Sequence, residues 1–298
     1  MKIFHHNDMD GYGAAAIVVI EWLKKNGVDT VDEYQKIINN CCVELDHGPG
    51  DKDKLLDVEL GEEVYVVDYS FTQATAYLLD KLIDNTRLVW IDHHVSSIKL
   101  IEKRHVYSEV KGLVRNGISG TALTYIYFNM CKMEDTPRFV QLISDYDCWI
   151  NKMLPDSTYF KLGYDAQSDK FLTLYLLYHR PPDPLMKNII DNGYIIKNYI
   201  DQDNKQYIEE FGYESKTEDG ILIYVCNKSS NSWLFGDLIN KYAAVCCYVF
   251  NGEDYKYSLF SSDYSTFDCR LYAESHGGGG HEHAAGFISK DMMFRKNK

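Results

Sequence analysis

The sequence has no long hydrophobic run and no segment that resembles an export signal. None of the apolar stretches in its 298 residues approaches the roughly 20 consecutive apolar residues that a membrane-spanning helix requires. The first residues also lack a charged region followed by an apolar core and a cleavage site. We therefore expect a soluble, cytoplasmic protein that has no membrane partner.

Cysteine pairs at metal-ligand spacing are missing as well. The chain has eight cysteines, of which none are spaced C-x-x-C and four form the adjacent pairs Cys41–Cys42 and Cys246–Cys247. This pattern fits neither a zinc ribbon nor a disulfide framework. We expect free thiols in a reducing compartment.

Positive charge is scarce. The chain has 31 lysines and arginines against 44 aspartates and glutamates, which gives a formal charge of −13. Proteins that grip long duplex DNA neutralise many phosphates with a broad basic surface. Long duplex DNA is therefore excluded as an expected partner, and a polyanionic substrate would have to be short or held through metal ions.

Strand-like and helical patterns alternate in the first half of the chain. The apolar, β-branched or aromatic runs with strand character are Lys2–His6, Glu63–Asp68 and Arg87–Asp92. The helical patterns around them are Gly13–Lys25, Thr72–Asn85 and Gly120–Lys132. This alternation predicts an α/β fold in which a mostly parallel N-terminal sheet is covered by helices on both faces.

The second half changes character twice. Helical spacing continues from about Asp135 to His179, and the RPPDP run Arg180–Pro184 then interrupts it. Leu185–Phe211 keeps helical spacing and would form a linking helix, and short β-like runs follow beyond Gly212. We predict three regions: a catalytic domain at 1–182, a linking helix at 183–212 and a smaller α+β domain at 213–298.

Histidines and aspartates concentrate where the predicted strands end. The groups that follow the three strands are His6, Asp8 and Asp10, then Asp68, then Asp92, His93 and His94. Because the carboxyl ends of parallel strands form the crevice in which such sheets bind ligands, we expect these groups to converge. Asp145 and Asp147 are candidates for a further group of ligands at the same site.

Carboxylates mixed with imidazoles point to a divalent metal centre. This donor set favours manganese, with magnesium, cobalt or ferrous iron also suited. Its size exceeds what one ion usually takes, and a two-metal site needs a bridging carboxylate to hold the ions roughly 3.5–4 Å apart. A single aspartate at a strand end is more often a turn or cap residue. The metal site is supported because potential ligands follow three predicted strands.

The same residues carry a resemblance to a known family. The segments HNDMDG, VVDYS, WIDHHVSS and SDYDCW, in this order, look like the four motifs of the DHH phosphoesterase superfamily. The glycine-rich GGGGHEHAAGF at Gly277–Phe287 resembles the signature of the DHH-associated substrate-binding domain. Together these motifs span Phe4 to Phe287, which is nearly the whole chain.

The resemblance implies a role for each matching position. It implies two divalent ions, which are held by side chains from every motif and assisted by two residues that do not bind metal. The implied metal ligands are His6 and Asp8 for one ion, Asp10 and His93 for the other, Asp68 as the bridge, and Asp145 rather than its neighbour Asp147 as the final aspartate. Asp92 would orient an imidazole, and His94 would face the scissile phosphate.

The glycine run is expected to bind the substrate. Gly278, Gly279 and Gly280 would let the backbone approach an anion and turn into a helix whose free N–H groups favour phosphate, and His281 would add a donor. Many relatives carry an arginine in a preceding Ser-Leu-Arg-Ser strand, where this chain has Phe260. Arg270 could replace that arginine, or Phe260 could stack on a base.

These implications give an expected function with alternatives. The spacing His6-x-Asp8-x-Asp10-Gly matches RecJ-like nucleases and some nanoRNases and is shorter than that of family II pyrophosphatases. We expect a manganese-dependent phosphodiesterase that hydrolyses short RNA or DNA oligonucleotides, including nanoRNA, to 5′-mononucleotides by attack of a metal-bridging hydroxide.

Other readings stay open. A phosphodiesterase for cyclic or linear dinucleotide signals and a 3′-phosphoadenosine 5′-phosphate phosphatase would share the same metal core. A nucleotide-binding protein without catalysis is the alternative from another class. HGPGD at His47–Asp51 is interpreted as a turn after an early strand.

Overall fold

A computed structural model of the protein describes residues 1–180 and 184–296. The chain forms two compact units, Met1–Ile196 and Lys197–Lys298. The centre of the predicted RPPDP break lies outside the described residues. The predicted three-part division at residues 182 and 212 stays a prediction.

A five-stranded parallel sheet forms the centre of the first unit. Its strands are β1 (Lys2–His6), β2 (Cys42–Leu45), β3 (Glu63–Val67), β4 (Arg87–Asp92) and β5 (Lys111–Val114). They lie in the order β2-β1-β3-β4-β5, and every neighbouring pair is parallel. The predicted parallel sheet is confirmed, and three of its strands lie where the sequence pattern predicts them.

Helices cover both faces of this sheet, as expected. They are α1 (Met9–Lys25), α2 (Val31–Cys41), α3 (Asp51–Leu56), α4 (Ala76–Asn85), α5 (Val95–Lys103), α6 (Gly120–Asn129), α7 (Arg138–Asp147), α8 (Asp156–Asp165), α9 (Lys170–His179) and the first part of α10 (Pro184–Phe211). Short 3₁₀ turns lie at His105–Glu109 and Met133–Asp135. The division between the two units falls inside α10.

Alternating strand residues supply two separate apolar cores. Ile3, Tyr65 and Val89 are partners in neighbouring strands, and they pack on the face covered by α1, α6 and α7. Their sequence neighbours, such as Phe4 and Trp90, pack on the opposite face with α4. Successive side chains of a strand point to opposite faces, so runs that are apolar throughout require cover on both.

The helix α1 begins four residues before the predicted start. Asp8 is its N-cap, and the Asp8 side chain accepts a hydrogen bond from the backbone N–H of Gly11 at 2.9 Å. A Cβ at Gly11 would lie 2.1 Å from the backbone oxygen of His6. The helix therefore starts tightly against the end of β1, and Asp10 lies in its first turn rather than in a loop.

The second unit is a mixed sheet with one α-helix of its own, which confirms the expected α+β fold. Its strands are β6 (Gly212–Lys216), β7 (Leu222–Asn227), β8 (Ala244–Phe250), β9 (Tyr255–Phe260), β10 (Gly279–His281) and β11 (Ala284–Ser289), with α11 (Cys269–Ser275) and a kinked 3₁₀ segment at Ser232–Asn240. The strand order is β10-β11-β9-β8-β7-β6. Only the β7–β8 pair is parallel among the paired strands of residues 197–296.

The prediction that the glycine run turns into a helix was wrong. Gly279–His281 forms β10, which pairs antiparallel with β11 in a hairpin. A Cβ at Gly280 would lie 2.5 Å from Cα of Ala285, its partner across the hairpin. The glycines therefore permit a close approach of two strands rather than a strand-to-helix turn.

The structure bears on the cysteines and on the question of a membrane-spanning helix. All eight cysteines are free, and four of them, Cys226, Cys246, Cys247 and Cys269, are buried. Across residues 1–180 and 184–296, no helix combines the length and the apolar character needed to cross a membrane.

Candidate metal centre

The carboxyl ends of β1, β3 and β4 bring the three predicted groups of side chains together. The possible ligand atoms of His6, Asp8 and Asp68 lie within 4.8 Å of one another. The same holds for those of Asp68, His93 and His94, and for those of His93, Asp147 and Cys148. Asp68 and His93 each occur in two of these groups, so the groups form one continuous cluster.

Asp68 lies at the centre of this cluster. Its side chain is 1% exposed, and neither of its carboxylate oxygens has a hydrogen-bond partner in the described part of the chain. Its φ of 53° is in the left-handed region, which is rare for residues other than glycine. Gly120 packs directly against it, since a Cβ there would lie 2.7 Å from Cβ of Asp68.

His93 directs one ring nitrogen towards three carboxylates. Its Nε2 lies 3.2 Å from Oδ1 of Asp68, 3.4 Å from Oδ2 of Asp147 and 3.7 Å from Oδ2 of Asp10. Its other nitrogen, Nδ1, lies 3.7 Å from Sγ of Cys148, which is within range of a hydrogen bond to sulfur. Nε2 is therefore the atom that can bind an ion.

His6 and Asp8 form a pair at the end of β1. The Nδ1 atom of His6 lies 2.8 Å from Oδ2 of Asp8. This hydrogen bond raises the pKa of His6. Burial opposes ionisation of Asp8, but its hydrogen bonds from His6 and from Gly11 outweigh burial and lower the pKa of Asp8. The pair therefore presents a carboxylate and an imidazole next to Asp68.

The N-terminus of α6 holds Asp10 in place. The backbone N–H groups of Gly120 and Thr121 donate to its two carboxylate oxygens at 2.6 Å and 2.8 Å. The first N–H groups of a helix have no partner within the helix, and an acidic side chain satisfies them. Each oxygen of Asp10 keeps a second lone pair that can coordinate an ion.

Asp92 orients His94. Asp92 is fully buried at the end of β4, where it accepts hydrogen bonds from Nδ1 of His94 at 2.7 Å and from the hydroxyl of Ser97. Burial of His94 is outweighed by this contact with Asp92, so the pKa of His94 is raised. This hydrogen bond occupies Nδ1, so Nε2 is the ring nitrogen of His94 that can contact a substrate.

The two aspartates at the end of α7 have different environments. Oδ1 of Asp145 accepts a hydrogen bond from the backbone N–H of Lys152 at 2.8 Å, and its Oδ2 is buried without a partner among the described residues. Asp147 instead faces His93. Residues two apart on a helix point roughly 200° away from each other, so only one of the pair can face the cluster. Of the two, Asp147 is the one whose carboxylate reaches His93.

The crowding of carboxylates determines their protonation. Burial, together with Asp10, Asp8 and Asp147, raises the pKa of Asp68 well above its usual range. Burial and the charges of Asp10 and Asp8 raise the pKa of Asp147 to about 8. A divalent cation would relieve this repulsion and satisfy the unpartnered oxygens of Asp68. The donor set of oxygen and imidazole fits manganese or magnesium better than a thiolate metal.

Sequence reasoning missed two residues beside the cluster, Cys148 and His47. The His47 ring stacks on Tyr69, with centroids 4.4 Å apart and planes 10° apart, and lies 5.4 Å from the His6 ring. The available signal was its place just beyond β2, the fourth strand that ends at this edge of the sheet. Cys148 carried no signal of its own, because a lone cysteine is common in a protein core.

The glycine hairpin of the second unit borders a cavity of about 580 Å³. Gly278, Gly279, Gly280 and Phe260 are among the residues that line it, and Lys256 contributes a cation. Arg270 lies on α11, where its exposed side chain pairs with Asp268 at 3.3 Å rather than lining this cavity. His281 lies exposed on β10.

Comparison with known proteins supports the fold and leaves the activity open. No protein-family model matches the chain, and no curated protein matches it significantly. The solved structure of a pGpG-specific phosphodiesterase, PggH from Vibrio cholerae, matches with a TM-score of 0.53 and 13% identity, over 97% of this chain and 92% of that one. The DHH domain of a member of the s1p family of ribosomal proteins matches with a TM-score of 0.56 and 14% identity, over 98% and 82%.

These identities are low, so the matches show a shared fold. The match to the DHH domain extends over 98% of this chain and therefore includes residues of both units.

Proposed function

We propose that this protein is a manganese-dependent phosphodiesterase that hydrolyses short oligonucleotides to 5′-mononucleotides. One observation carries the proposal: Asp68 is buried, neither of its carboxylate oxygens accepts a hydrogen bond from the described residues, and it is shared between the His6–Asp8 group and the His93–His94 group. A carboxylate in this position is suited to bridge two ions. A structural aspartate would instead have its oxygens satisfied by the protein.

Two sets of side chains would hold the ions. His6, Asp8 and Asp68 form one set, and Asp10, Asp68, His93 and Asp147 form the other. Bound divalent ions would supply Lewis acidity at the phosphoryl group and lower the pKa of water. The side chains of the protein would position the phosphate, keep other anions away from it and transfer a proton to the leaving oxygen.

His94 is the proposed proton donor. Asp92 fixes its Nδ1 and raises its pKa, so a larger share of His94 carries a proton on Nε2 near neutral pH. This N–H can donate a hydrogen bond to the scissile phosphate and transfer its proton to the leaving oxygen. Asp92 acts as a positioning residue, because its carboxylate contacts His94 and Ser97 rather than the centre of the cluster.

The cavity beside the glycine hairpin is the proposed site for a terminal nucleotide. Its volume is in the range of cavities that hold small ligands. Phe260 can stack on a base, and Lys256 supplies the cation for a phosphate. His281 is a further proposed donor. Arg270, whose exposed guanidinium pairs with Asp268, is a further proposed cation for a phosphate.

A linear dinucleotide is the second candidate substrate. The chain shares its fold with a solved pGpG-specific phosphodiesterase over 97% of this chain and 92% of that one. A dinucleotide is also the shortest member of the proposed substrate class. The two proposals differ only in whether longer oligonucleotides are accepted.

The experiment is a substrate panel with the full chain and Mn²⁺. It would contain pApA, pGpG, 5′-labelled RNA and DNA of increasing length, cyclic dinucleotides and 3′-phosphoadenosine 5′-phosphate. We expect release of 5′-mononucleotides from the short linear substrates, a steep fall with length, and no turnover by the Asp68→Asn variant. The proposal fails if the wild type cleaves none of them while it and Asp68→Asn bind them equally.

A further inference from the structure

His47 occupies an unusual position for a turn residue. It lies two residues beyond the end of β2, and its φ of 56° is in the left-handed region. Glycine or asparagine adopts this conformation with less strain. Gly48, the next residue, has an ordinary φ and open space where a Cβ would be. The strained conformation therefore falls on the residue that carries an imidazole.

A buried network holds the His47 ring in one orientation. The ring stacks on Tyr69, which is 3% exposed. The Tyr69 hydroxyl donates to Oδ2 of Asp51 at 3.2 Å, and Asp51 in turn accepts from the backbone N–H of Asp46 at 3.2 Å and 3.3 Å. Asp46 and Asp51, on either side of His47, are thus joined to each other, and Asp51 is joined to the tyrosine on which the ring rests.

This orientation brings a fourth imidazole to the edge of the sheet that already carries His6, His93 and His94. The His47 ring centroid lies 5.4 Å from that of His6 and 6.4 Å from that of His94. Neither ring nitrogen of His47 makes a hydrogen bond to another residue within 1–180 and 184–296. The side chain is exposed, so its hydrogen-bonding capacity is open to a ligand.

We propose that His47 contacts the phosphate of the substrate, through a ring N–H that donates to an oxygen of the phosphate at the metal centre. The inference rests on the proposed function and adds a substrate-binding residue from the end of a fourth strand. It does not depend on the protonation of His47, because a neutral imidazole always carries one N–H. A ring fixed by Tyr69 would offer this donor without losing conformational freedom on binding.

Stacking of a nucleobase on the outer face of the His47 ring is the competing role. Two substitutions separate it from the phosphate contact. His47→Phe keeps a ring on Tyr69 and removes the donor, whereas His47→Asn keeps an N–H donor, removes the ring and suits the left-handed backbone. His105→Phe, at an exposed histidine in a 3₁₀ turn, is the matched control.

The test measures binding of orthophosphate and 5′-AMP to the Mn²⁺-loaded full chain by calorimetry. We expect His47→Phe to weaken both ligands about tenfold, in line with loss of one hydrogen bond to a charged group. We expect His47→Asn to stay within about threefold of the wild type and His105→Phe to match it. Mn²⁺ affinity and melting temperature should change little in all three variants.

The outcomes distinguish the His47–phosphate contact from the proposed function. The contact is overturned if His47→Phe binds orthophosphate as the wild type does, or if the Mn²⁺-loaded wild type binds neither ligand. It is also overturned if the only loss is that of 5′-AMP binding in His47→Asn. Orthophosphate has no base, so a loss of orthophosphate binding cannot result from a loss of base stacking. If the substrate panel shows no turnover but His47→Phe weakens phosphate binding, the phosphodiesterase proposal fails and the phosphate contact stands.

Discussion

The Oδ2 atom of Asp147 lies 3.4 Å from Nε2 of His93, although the two residues are more than fifty positions apart in the chain. The neighbouring Asp145 accepts a hydrogen bond from the backbone N–H of Lys152 instead. The end of α7 therefore has one carboxylate directed at the cluster and one that fixes the chain beyond the helix. This difference can be measured.

Replacing the two aspartates separately should separate metal binding from stability. We expect Asp147→Asn to weaken Mn²⁺ binding by more than about 100-fold, beyond the range typical of residues that only support a ligand. Asp145→Asn should lower the melting temperature more and the Mn²⁺ affinity less, since its main contact is with Lys152. Calorimetric Mn²⁺ titration and thermal unfolding test this, and the opposite ranking would restore Asp145 as the ligand.

Cys148 should support the orientation of His93. If Nε2 of His93 binds an ion, its Nδ1–H can donate to Sγ of Cys148, which lies 3.7 Å away. Removing the partner of a metal-binding histidine typically costs 10–100-fold in metal affinity. We expect a loss of roughly this size in Cys148→Ala, while Cys148→Ser keeps an acceptor and stays near the wild type. Equal Mn²⁺ affinities of the two variants would exclude this role.

Gly120 should be required for the geometry around Asp68. A Cβ at this position would lie 2.7 Å from Cβ and 3.0 Å from Oδ1 of Asp68, so either Asp68 or the start of α6 must move. We expect Gly120→Ala to weaken Mn²⁺ binding about tenfold or more, because metal sites tolerate little displacement. Gly50→Ala is the control, since its added Cβ meets nothing within 4 Å. Similar Mn²⁺ affinity in both variants would contradict the prediction.

The metal-free protein should lose stability as the pH rises. The pKa of Asp147 is about 8 in the folded protein, against an ordinary 3.8. Between these values the folded state holds a proton that the unfolded state has released, so the free energy of unfolding falls with rising pH. The raised pKa of His6 acts in the same direction at higher pH. Asp147→Asn should therefore flatten this dependence without removing it.

Thermal unfolding in a chelator at about pH 5 and about pH 8 measures the effect. Added Mn²⁺ should raise the melting temperature more at the higher pH, where fewer protons must leave Asp68 and Asp147. A melting temperature of the metal-free wild type that does not fall between these pH values, or that falls equally in Asp147→Asn, would show that the carboxylate crowding is not as described.

The sequence alone was sufficient for three of the five strands of the parallel sheet and for the grouping of side chains at their ends. Apolar β-branched runs predicted β1, β3 and β4, and the rule that parallel strands end at one edge predicted that His6, Asp68 and His93 lie together. These inferences rest on local patterns and on a topology with few alternatives. The same patterns underestimated α1, because the capping contact of Asp8 with Gly11 is a matter of geometry.

Other features depended on contacts between distant segments. The choice of Asp147 over Asp145 follows from the rotation of α7 against the sheet, and the role of His47 follows from its stacking on Tyr69. The glycine run forms a hairpin because β11 has a partner strand in β9, a long-range pairing that local composition does not encode.

The sequence by itself determined three strands of the parallel sheet and the histidines and aspartates at their ends, because strand periodicity and ligand types are local properties. Only the tertiary structure decided which of two neighbouring aspartates faces His93, and that the imidazole of His47, beyond β2, lies beside His6. Those choices depend on how each helix and loop is rotated as it packs on the sheet, and packing is settled by the whole unit rather than by any one segment.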